Sequence, residues 1–489
     1  MDILDTALRL FQGGLGNLAA YLAAHVLLCL LPAFFIAGAM SALLPKEAIT
    51  RFLGRNAPKY VSYPAAASAG SLLAVCSCTI VPLFAGIYKK GAGLGPAITF
   101  LFFAPAANIL ALAYTGVAIG LDLAIARLLL SLSFGIGIGM IMALIFSRSD
   151  IAHDQETDRS FVGSNSIPRR SWVLILILAA LLLFGTLKLA VLTNDYAQVT
   201  LPIAGTDHFQ AVLYQSVPFD ASKGEEGVSV QGTVLIGLLA IIGVTAWLGL
   251  NRVEEGFNPW TWAALGLIVL TLLVAATTMV PRADGLEVHF PGKFFGVAAA
   301  LLAVGFVARR YFDPFEIQEW LWESWRFVKQ IFPLLVVGVF GVGIIRQLIQ
   351  PEWIEFLAGS NTILGNLAGV VFGVFMYFPT LVEVPIANMF LSLGMHRGPL
   401  LAYLMADPEL SLQSILIVSA IIGRTRTWVY VGWVALFSTL AGLLYGMWTD
   451  GTSLGLIAVY VLAFLAVLVA GLWLVGRRSQ QAIALAHKP

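Results

Sequence analysis

Two runs constrain this chain more than any other feature: "WVLILILAALLLFGTLKLAVL" at residues 172–192 and "LGLIAVYVLAFLAVLVAGLWLV" at 454–475. Crossing hydrocarbon takes roughly 20 consecutive apolar residues in a helix, and both runs reach that length. Their apolar positions are continuous rather than alternating, which excludes a transmembrane β-barrel. Composition agrees: 59% of the residues are hydrophobic and 11% charged, where a soluble domain carries about 25% charged residues. The fold class is therefore an all-α polytopic membrane protein, with the lipid bilayer as its solvent.

Eleven segments read as spans: 20–44, 94–120, 121–147, 172–192, 232–250, 259–280, 294–308, 327–349, 400–423, 427–448 and 454–475. Residues 61–88 and 361–391 are rich in Gly, Pro, Ser and Ala and read as broken or re-entrant helical hairpins. The first residues, "MDILDTALRLFQGGLGN", carry Asp2 and Asp5 and no apolar core, so they read as an amphipathic segment and not a signal peptide. "RRYFDPFEIQEWLWESWRFVKQ" (309–330) mixes acids, bases and tryptophans and reads as an interfacial helix.

Basic residues set the orientation. Arg148, Arg159, Arg169 and Arg170 mark 148–171 as cytoplasmic; Arg309, Arg310, Arg326 and Lys329 mark 309–329, and Arg477, Arg478 and Lys488 mark the C-terminus. Loops 193–231 and 449–453 carry a single lysine, Lys223, among several acids, and belong outside. A net charge of +1 implies no nucleic acid partner. Three cysteines, Cys29, Cys76 and Cys78, build no disulfide framework. There is no phosphate-binding G-x-x-x-x-G-K-[ST] loop, and no cofactor is expected. Nothing in the pattern specifies an oligomeric state.

The chain repeats itself. "GAGLGPAITFLFFAP" (91–105) and "GMHRGPLLAYLMADP" (394–408) share G-x-x-x-G-P, an aromatic-Leu pair and a closing proline. The offset is constant: 394 minus 91, 398 minus 95 and 408 minus 105 all give 303, and the same shift pairs Gly70 with Gly373 and Pro82 with Pro385. The organisation that follows is an amphipathic segment (1–19), a first repeat (20–147), and a connecting region (148–326) of four spans, an extracytoplasmic loop and the interfacial helix. A second repeat (327–448) and a final span with its tail (449–489) complete it. The first repeat ends at the cytoplasmic loop 148–171, and four intervening spans are an even number, so the second repeat starts in the cytoplasm and ends outside, opposite to the first. Inverted repeats with Gly/Pro-interrupted helices point to alternating access around a midplane site.

Three groups of residues could carry chemistry there. Cys76, Ser77 and Cys78 sit just before Pro82. Thiolates select soft ions and thiophilic solutes, and cysteine is equally a small residue for buried packing; a redox pair is a weaker reading because the spacing is not C-x-x-C. Any metal at Cys76 and Cys78 would be the transported solute. The matched positions of the second repeat are Pro379, Thr380 and Leu381, with no thiols. That repeat instead carries Glu383 and Asp407, aligned with Ile80 and Ala104. An acid at membrane depth costs roughly 2.5–3.5 kcal/mol on insertion scales and is a functional candidate by default. Glu383 is the candidate for proton coupling. Asp407 is a second, although "DPELSLQS" favours Asp407 as a helix N-cap followed by Pro408 and Glu409 in the first turn. Asn108 and Asn388, with Thr79, are polar groups near the breaks that could line a substrate path. Gly135, Gly137 and Gly139 offer a small-residue face for helix packing.

"CSCTIVPLFAGIYKKGAGLGPAITFLFFAPAAN" (76–108) resembles the signature of the predicted-permease family typified by YraQ and the ArsP organoarsenical efflux permeases, and "PTLVEVPIANMFLSLGMHRGPLLAYLMADP" (379–408) resembles its second half. The resemblance covers both repeats, about half the chain. It implies an inner-membrane, multi-pass permease with a cytoplasmic C-terminus, in some members exporting trivalent organoarsenicals, and not an enzyme. The long stretch between the repeats departs from the compact form of that family. A membrane-embedded thiol oxidoreductase is the alternative from another class, and the chain carries no quinone or nucleotide motif to serve it.

Overall fold

The computed structural model describes residues 3–486 except 25, 45, 56, 73–76, 148–149, 151–167, 188, 218–226, 284, 347, 349–351 and 376–382. Among the described residues nine helices are long and apolar enough to cross a membrane, or eleven spans if two bent pairs each count as one. Together these coincide with the eleven apolar segments of the sequence. The two bends are 53° between residues 7–23 and 27–43, and 46° between Arg397–Leu410 and Leu412–Ile422. The N-terminal segment is helical from Ile3 (α1, Ile3–Ala24), and the first span continues beyond the 53° bend as α2 (Leu31–Leu43).

The first half continues with α3 (Lys46–Leu53), α4 (Lys59–Leu72), α5 (Ser77–Lys89), α6 (Leu94–Ala106), α7 (Ile109–Ala118) and α8 (Leu121–Ile145). Between α5 and α6 the chain turns at Gly91 with φ 88. An L side chain rarely adopts that conformation, which accounts for a glycine there. Gly394 does the same in the second half with φ 89.

The connecting region holds four long helices, α9 (Arg169–Thr186), α11 (Val230–Gly249), α12 (Pro259–Ala276) and α13 (Gly292–Tyr311), with a shorter α10 (Thr206–Ser216). The expected loops also contain a sheet the hydropathy does not announce. Strands β1 (Asp195–Leu201), β2 (Thr278–Arg282) and β3 (Gly285–Pro291) pair antiparallel in the order β1-β3-β2. Thr206 ties α10 to it by donating its hydroxyl to the Arg282 and Gly285 carbonyls at 3.0 Å each. α12 starts with a capping box: Asn258 Oδ1 accepts from the Thr261 amide at 2.9 Å, with Pro259 at the first helical position. Asn258→Ala is expected to cost about 1 kcal/mol, read as a lower unfolding midpoint in detergent.

The segment 309–330 is not a separate interfacial helix. Arg309 and Arg310 close α13, and Pro314 opens α14, one helix from Pro314 to Arg346. Trp320 is drawn inward because α2 offers a backbone to pack on. Trp320 Nε1 donates to the Phe35 carbonyl at 2.8 Å, and a side chain at Gly38 would collide with Ser324. The charged face is consumed as well: Glu323 accepts from Lys89 of α5 and from Ser41 of α2.

The second half comprises α15 (Glu352–Ala358), α16 (Ile363–Phe375), α17 (Glu383–Ser392), α18 (Arg397–Leu410), α19 (Leu412–Ile422) and α20 (Arg424–Thr449), and α21 (Leu454–Ala486) ends the chain. One apolar core runs through both halves and much of the connecting region. α6 packs between α4 and α8, α18 between α16 and α20, and α6 touches α18 while α8 touches α20. Of the small-residue face, Gly135 lies against Phe102 and Gly139 against the Gly95 carbonyl, both on α6, whereas Gly137 faces open space.

Candidate functional site

The helices break where each half has a proline in the last turn of its central helix. Pro105 lies in the last turn of α6, and Ala107 leaves the helical region at φ −123, ψ 33 before α7 begins. In the second half Pro408 lies in the last turn of α18, and Ser411 is extended at φ −55, ψ 143 before α19. Ser411 caps α19 by accepting from the Ser414 amide at 3.3 Å. A break of this kind strands backbone carbonyls at membrane depth, where protein must satisfy them.

Arg127 does so. It stands six residues into α8 and is fully buried. Its Nε donates to the Ala106 carbonyl at 2.8 Å and its Nη1 to Thr115 Oγ1 of α7 at 3.3 Å. Its Nη2 donates to Glu383 Oε1 at 2.5 Å, at the first residue of α17. Both side chains of this ion pair have no exposed surface. Glu383 Oε2 has no hydrogen-bond partner among the described residues. One arginine thus joins the break of the first half to the start of a helix in the second.

Taking two charges out of water is costly, and their attraction offsets that cost only with good geometry and further hydrogen bonds. Arg127 has three acceptors, so it is well served, while Glu383 Oε2 has no partner among the described residues.

Around the second break lie more polar groups than the sequence assigned to it. Asp407 is not an N-cap: it is wholly buried inside α18, and the cap of the next helix is Ser411. The reason is that Pro408 ends a helix here instead of starting one, because only two residues follow it before the turn. Glu409, read as a first-turn acid, is likewise in the last turn of α18 and accepts from Tyr430 Oη of α20 at 2.8 Å.

Two polar ties close the ends of the central bundle. At one end Asp122 Oδ2 of α8 accepts from Arg397 of α18 at 2.8 Å and from Tyr445 of α20 at 2.7 Å. At the other, Arg426 of α20 donates to Tyr88 Oη of α5 at 2.9 Å, beside the Lys89–Glu323 pair.

The sequence candidates distribute as follows. Asn108 is buried at the first break, where its carbonyl accepts from the Leu112 amide at 2.9 Å. Asn388 is exposed on α17. Thr79 is buried on α5. Ser77 and Cys78 lie in the first turn of α5, and their side chains are outside the description. Cys76, Pro379 and Thr380 lie outside the described residues. Arg127 is the residue the sequence reading passed over, and the available signal was a lone cation in a 25-residue apolar helix. A cavity of about 370 Å³ lies elsewhere, lined among others by Leu27, Leu28, Gln231, Thr277 and Lys293, and none of its lining residues belongs to either break.

Comparisons with known proteins agree on one group. A family model described as a predicted permease (ArsP_1) matches residues 13–447. The UPF0718 protein MJ0584 of Methanocaldococcus jannaschii is 31% identical over 447 residues, covering 91% of this chain and 99% of that one. No solved structure matches.

Proposed function

The chain belongs to this predicted-permease family, and on that premise we propose that it is a secondary permease whose two inverted halves, 20–147 and 327–448, alternate access to a site between their helix breaks. The observation that carries the reading is the buried Arg127–Glu383 pair, because it ties the two halves at their interruptions. A rocking of one half against the other must remake this contact, which makes it a natural switch.

Several features support inverted halves. Elements recur at one spacing: α6 and α18, α7 and α19, and α8 and α20 start 303 residues apart (397 minus 94, 412 minus 109, 424 minus 121). Contacts between the halves come in matched pairs, α5 with α19 and α7 with α17. The first turn of α8 meets the last turns of α20 through Asp122 and Tyr445, so these equivalent helices run in opposite directions. At their middle the equivalent residues Phe134 and Phe437 pack on each other, ring centroids 4.8 Å apart. The connecting region, 148–326, then serves as a flanking domain; the arginine-rich loops favour a cytoplasmic C-terminus, and the family resemblance favours an inner membrane.

The solute class rests on Cys76 and Cys78, whose sulfurs favour soft or thiol-reactive solutes, with Ser77, Asn108, Pro379, Thr380 and Asn388 along the path. Proton coupling enters through Glu383: a proton on its carboxylate cancels the attraction to Arg127 and frees the halves to move. Export is the direction inferred. Cells expressing the protein are expected to gain resistance to methylated trivalent arsenic, antimonite, copper or zinc, and Cys76→Ser with Cys78→Ser is expected to abolish that resistance. No gain against any of the four would sink the thiophilic reading, and full resistance in the cysteine variants would make the thiols packing residues.

A further inference from the structure

The ion pair leaves a question about where a coupling proton resides, because Glu383 already has a cation. The second break holds an acid that does not. Glu409 is 4% exposed, and its Oε2 accepts from Tyr430 while its Oε1 has no hydrogen-bond partner among the described residues. Beside it across the break, Gln413 is 1% exposed, and neither its carboxamide oxygen nor its nitrogen has a partner there. Native proteins leave few buried polar atoms unsatisfied, and each such atom calls for an explanation.

The ionisable surroundings are sparse. Of the helices packed on α18, α6, α16 and α19 carry no ionisable side chain. α17 and α8 bring Glu383 and Arg127, which hold each other, and Asp122, which Arg397 holds. α20 brings Tyr430 to Glu409, Tyr445 to Asp122, and Arg424 and Arg426 in its first turn. On α18 itself stand Tyr403 and Asp407, both buried. No described cation makes a salt bridge to Glu409. A bare carboxylate in that position would be an uncompensated buried charge, which proteins avoid by neutralising the group.

We propose that Glu409 is a second proton-binding site of the transport cycle beside Glu383, holding H⁺ on its carboxyl while the second break is closed and releasing it to water when the break opens. This rests on the permease reading above. The matched positions make the division of labour concrete. Arg127 and Tyr430 are equivalent at the 303 spacing, and Ala106 and Glu409 likewise (430 minus 127, 409 minus 106). In the first half the arginine grips a backbone carbonyl. In the second a neutral hydroxyl takes its place and grips a carboxyl. The hydroxyl stabilises the acid without fixing it in the charged form, so protonation there is reversible. In the release step the carboxyl O–H bond breaks, the proton passes to water, and the remaining carboxylate keeps the Tyr430 hydrogen bond.

The test is infrared spectroscopy of the purified full-length protein in lipid nanodiscs, which needs no substrate. The carbonyl stretch of a buried protonated carboxylic acid is expected at neutral pH, moving to lower frequency in D₂O. Glu409→Gln should remove it, and Asp407→Asn should leave it in place. Tyr430→Phe should keep its intensity and shift it upward, since a hydrogen bond to the carboxyl is lost; this variant carries the test if Glu409→Gln fails to fold. A band that survives Glu409→Gln, a band that vanishes in Asp407→Asn, or one unmoved in Tyr430→Phe overturns the assignment. Everted vesicles given methylated trivalent arsenic separate the two readings. Transport in Glu409→Gln that keeps its full proton-gradient dependence removes the proton site and leaves the permease. An absence of transport with the band intact removes the permease reading.

Discussion

Replacing Glu383 by Gln, or Arg127 by Met, is expected to destabilise the folded protein by about 3–5 kcal/mol, the cost of leaving one member of a buried ion pair uncompensated. Glu383→Gln should be the milder of the two, because an amide oxygen still accepts from Nη2, while Arg127 retains the Ala106 carbonyl and Thr115. Arg127→Met leaves Glu383 with no described hydrogen-bond partner. The double variant Arg127→Met/Glu383→Leu replaces the pair by apolar groups of similar size, and such replacements are often neutral or stabilising. It should regain most of the lost stability while remaining inactive in the resistance assay. The measurement is a double-mutant cycle of unfolding midpoints in detergent, with Arg127→Met and Glu383→Leu as its single variants, run beside transport. Additive single-site effects would mean the pair is not an energetic unit. Transport by the double variant would mean it is not a switch.

The second large effect is steric and changes sign between two neighbouring glycines. A Cβ built on Gly139 would stand 2.6 Å from the Gly95 carbonyl oxygen, and one on Gly442 would stand 2.6 Å from the Gly398 carbonyl oxygen. These are equivalent contacts in the two halves, and both are to backbone, which cannot rotate away. Gly139→Val and Gly442→Val are each expected to cost at least about 1–3 kcal/mol, as overpacking does when neighbours cannot yield. Gly137, two residues from Gly139 on the same helix, has nothing within 4 Å of its Cβ direction. Gly137→Ala should be neutral or stabilising by up to about 1 kcal/mol through helix propensity. Thermal unfolding of the three variants side by side decides it. Equal losses at 137 and 139 would contradict the packing.

These two predictions mark what could and could not be read from the letters. Spans were legible because hydrocarbon demands length, and length is written plainly in the sequence. The duplication was legible because close-packed glycines and helix-ending prolines admit few substitutes: Gly95 and Gly398, Pro105 and Pro408 stayed in register. Arg127 was not legible in the same way, since its partner lies 256 residues ahead and no local pattern announces that meeting. Asp407 and Glu409 were misread because "DP" starts one helix and ends another with the same two letters. The direction depended on Ser411 being the cap, which only the turn geometry reveals. Trp320 and Trp325 looked interfacial by composition and proved buried, Trp320 because the small residues of α2 admit a close neighbour and Trp325 against Asn251 and Trp247.

The long separation of Arg127 and Glu383 also sets a clock for biogenesis. At about 5–20 residues per second, a ribosome that has delivered Arg127 needs roughly 13–50 seconds to deliver its counter-ion, 256 residues later. Through that interval the guanidinium sits in an unfinished membrane bundle with only what its own half supplies, the Ala106 carbonyl and the Thr115 hydroxyl. Those two bonds are thus a holding arrangement for the nascent chain. The first half is synthesised before its counter-charge exists, and the ion pair closes only when the second half arrives.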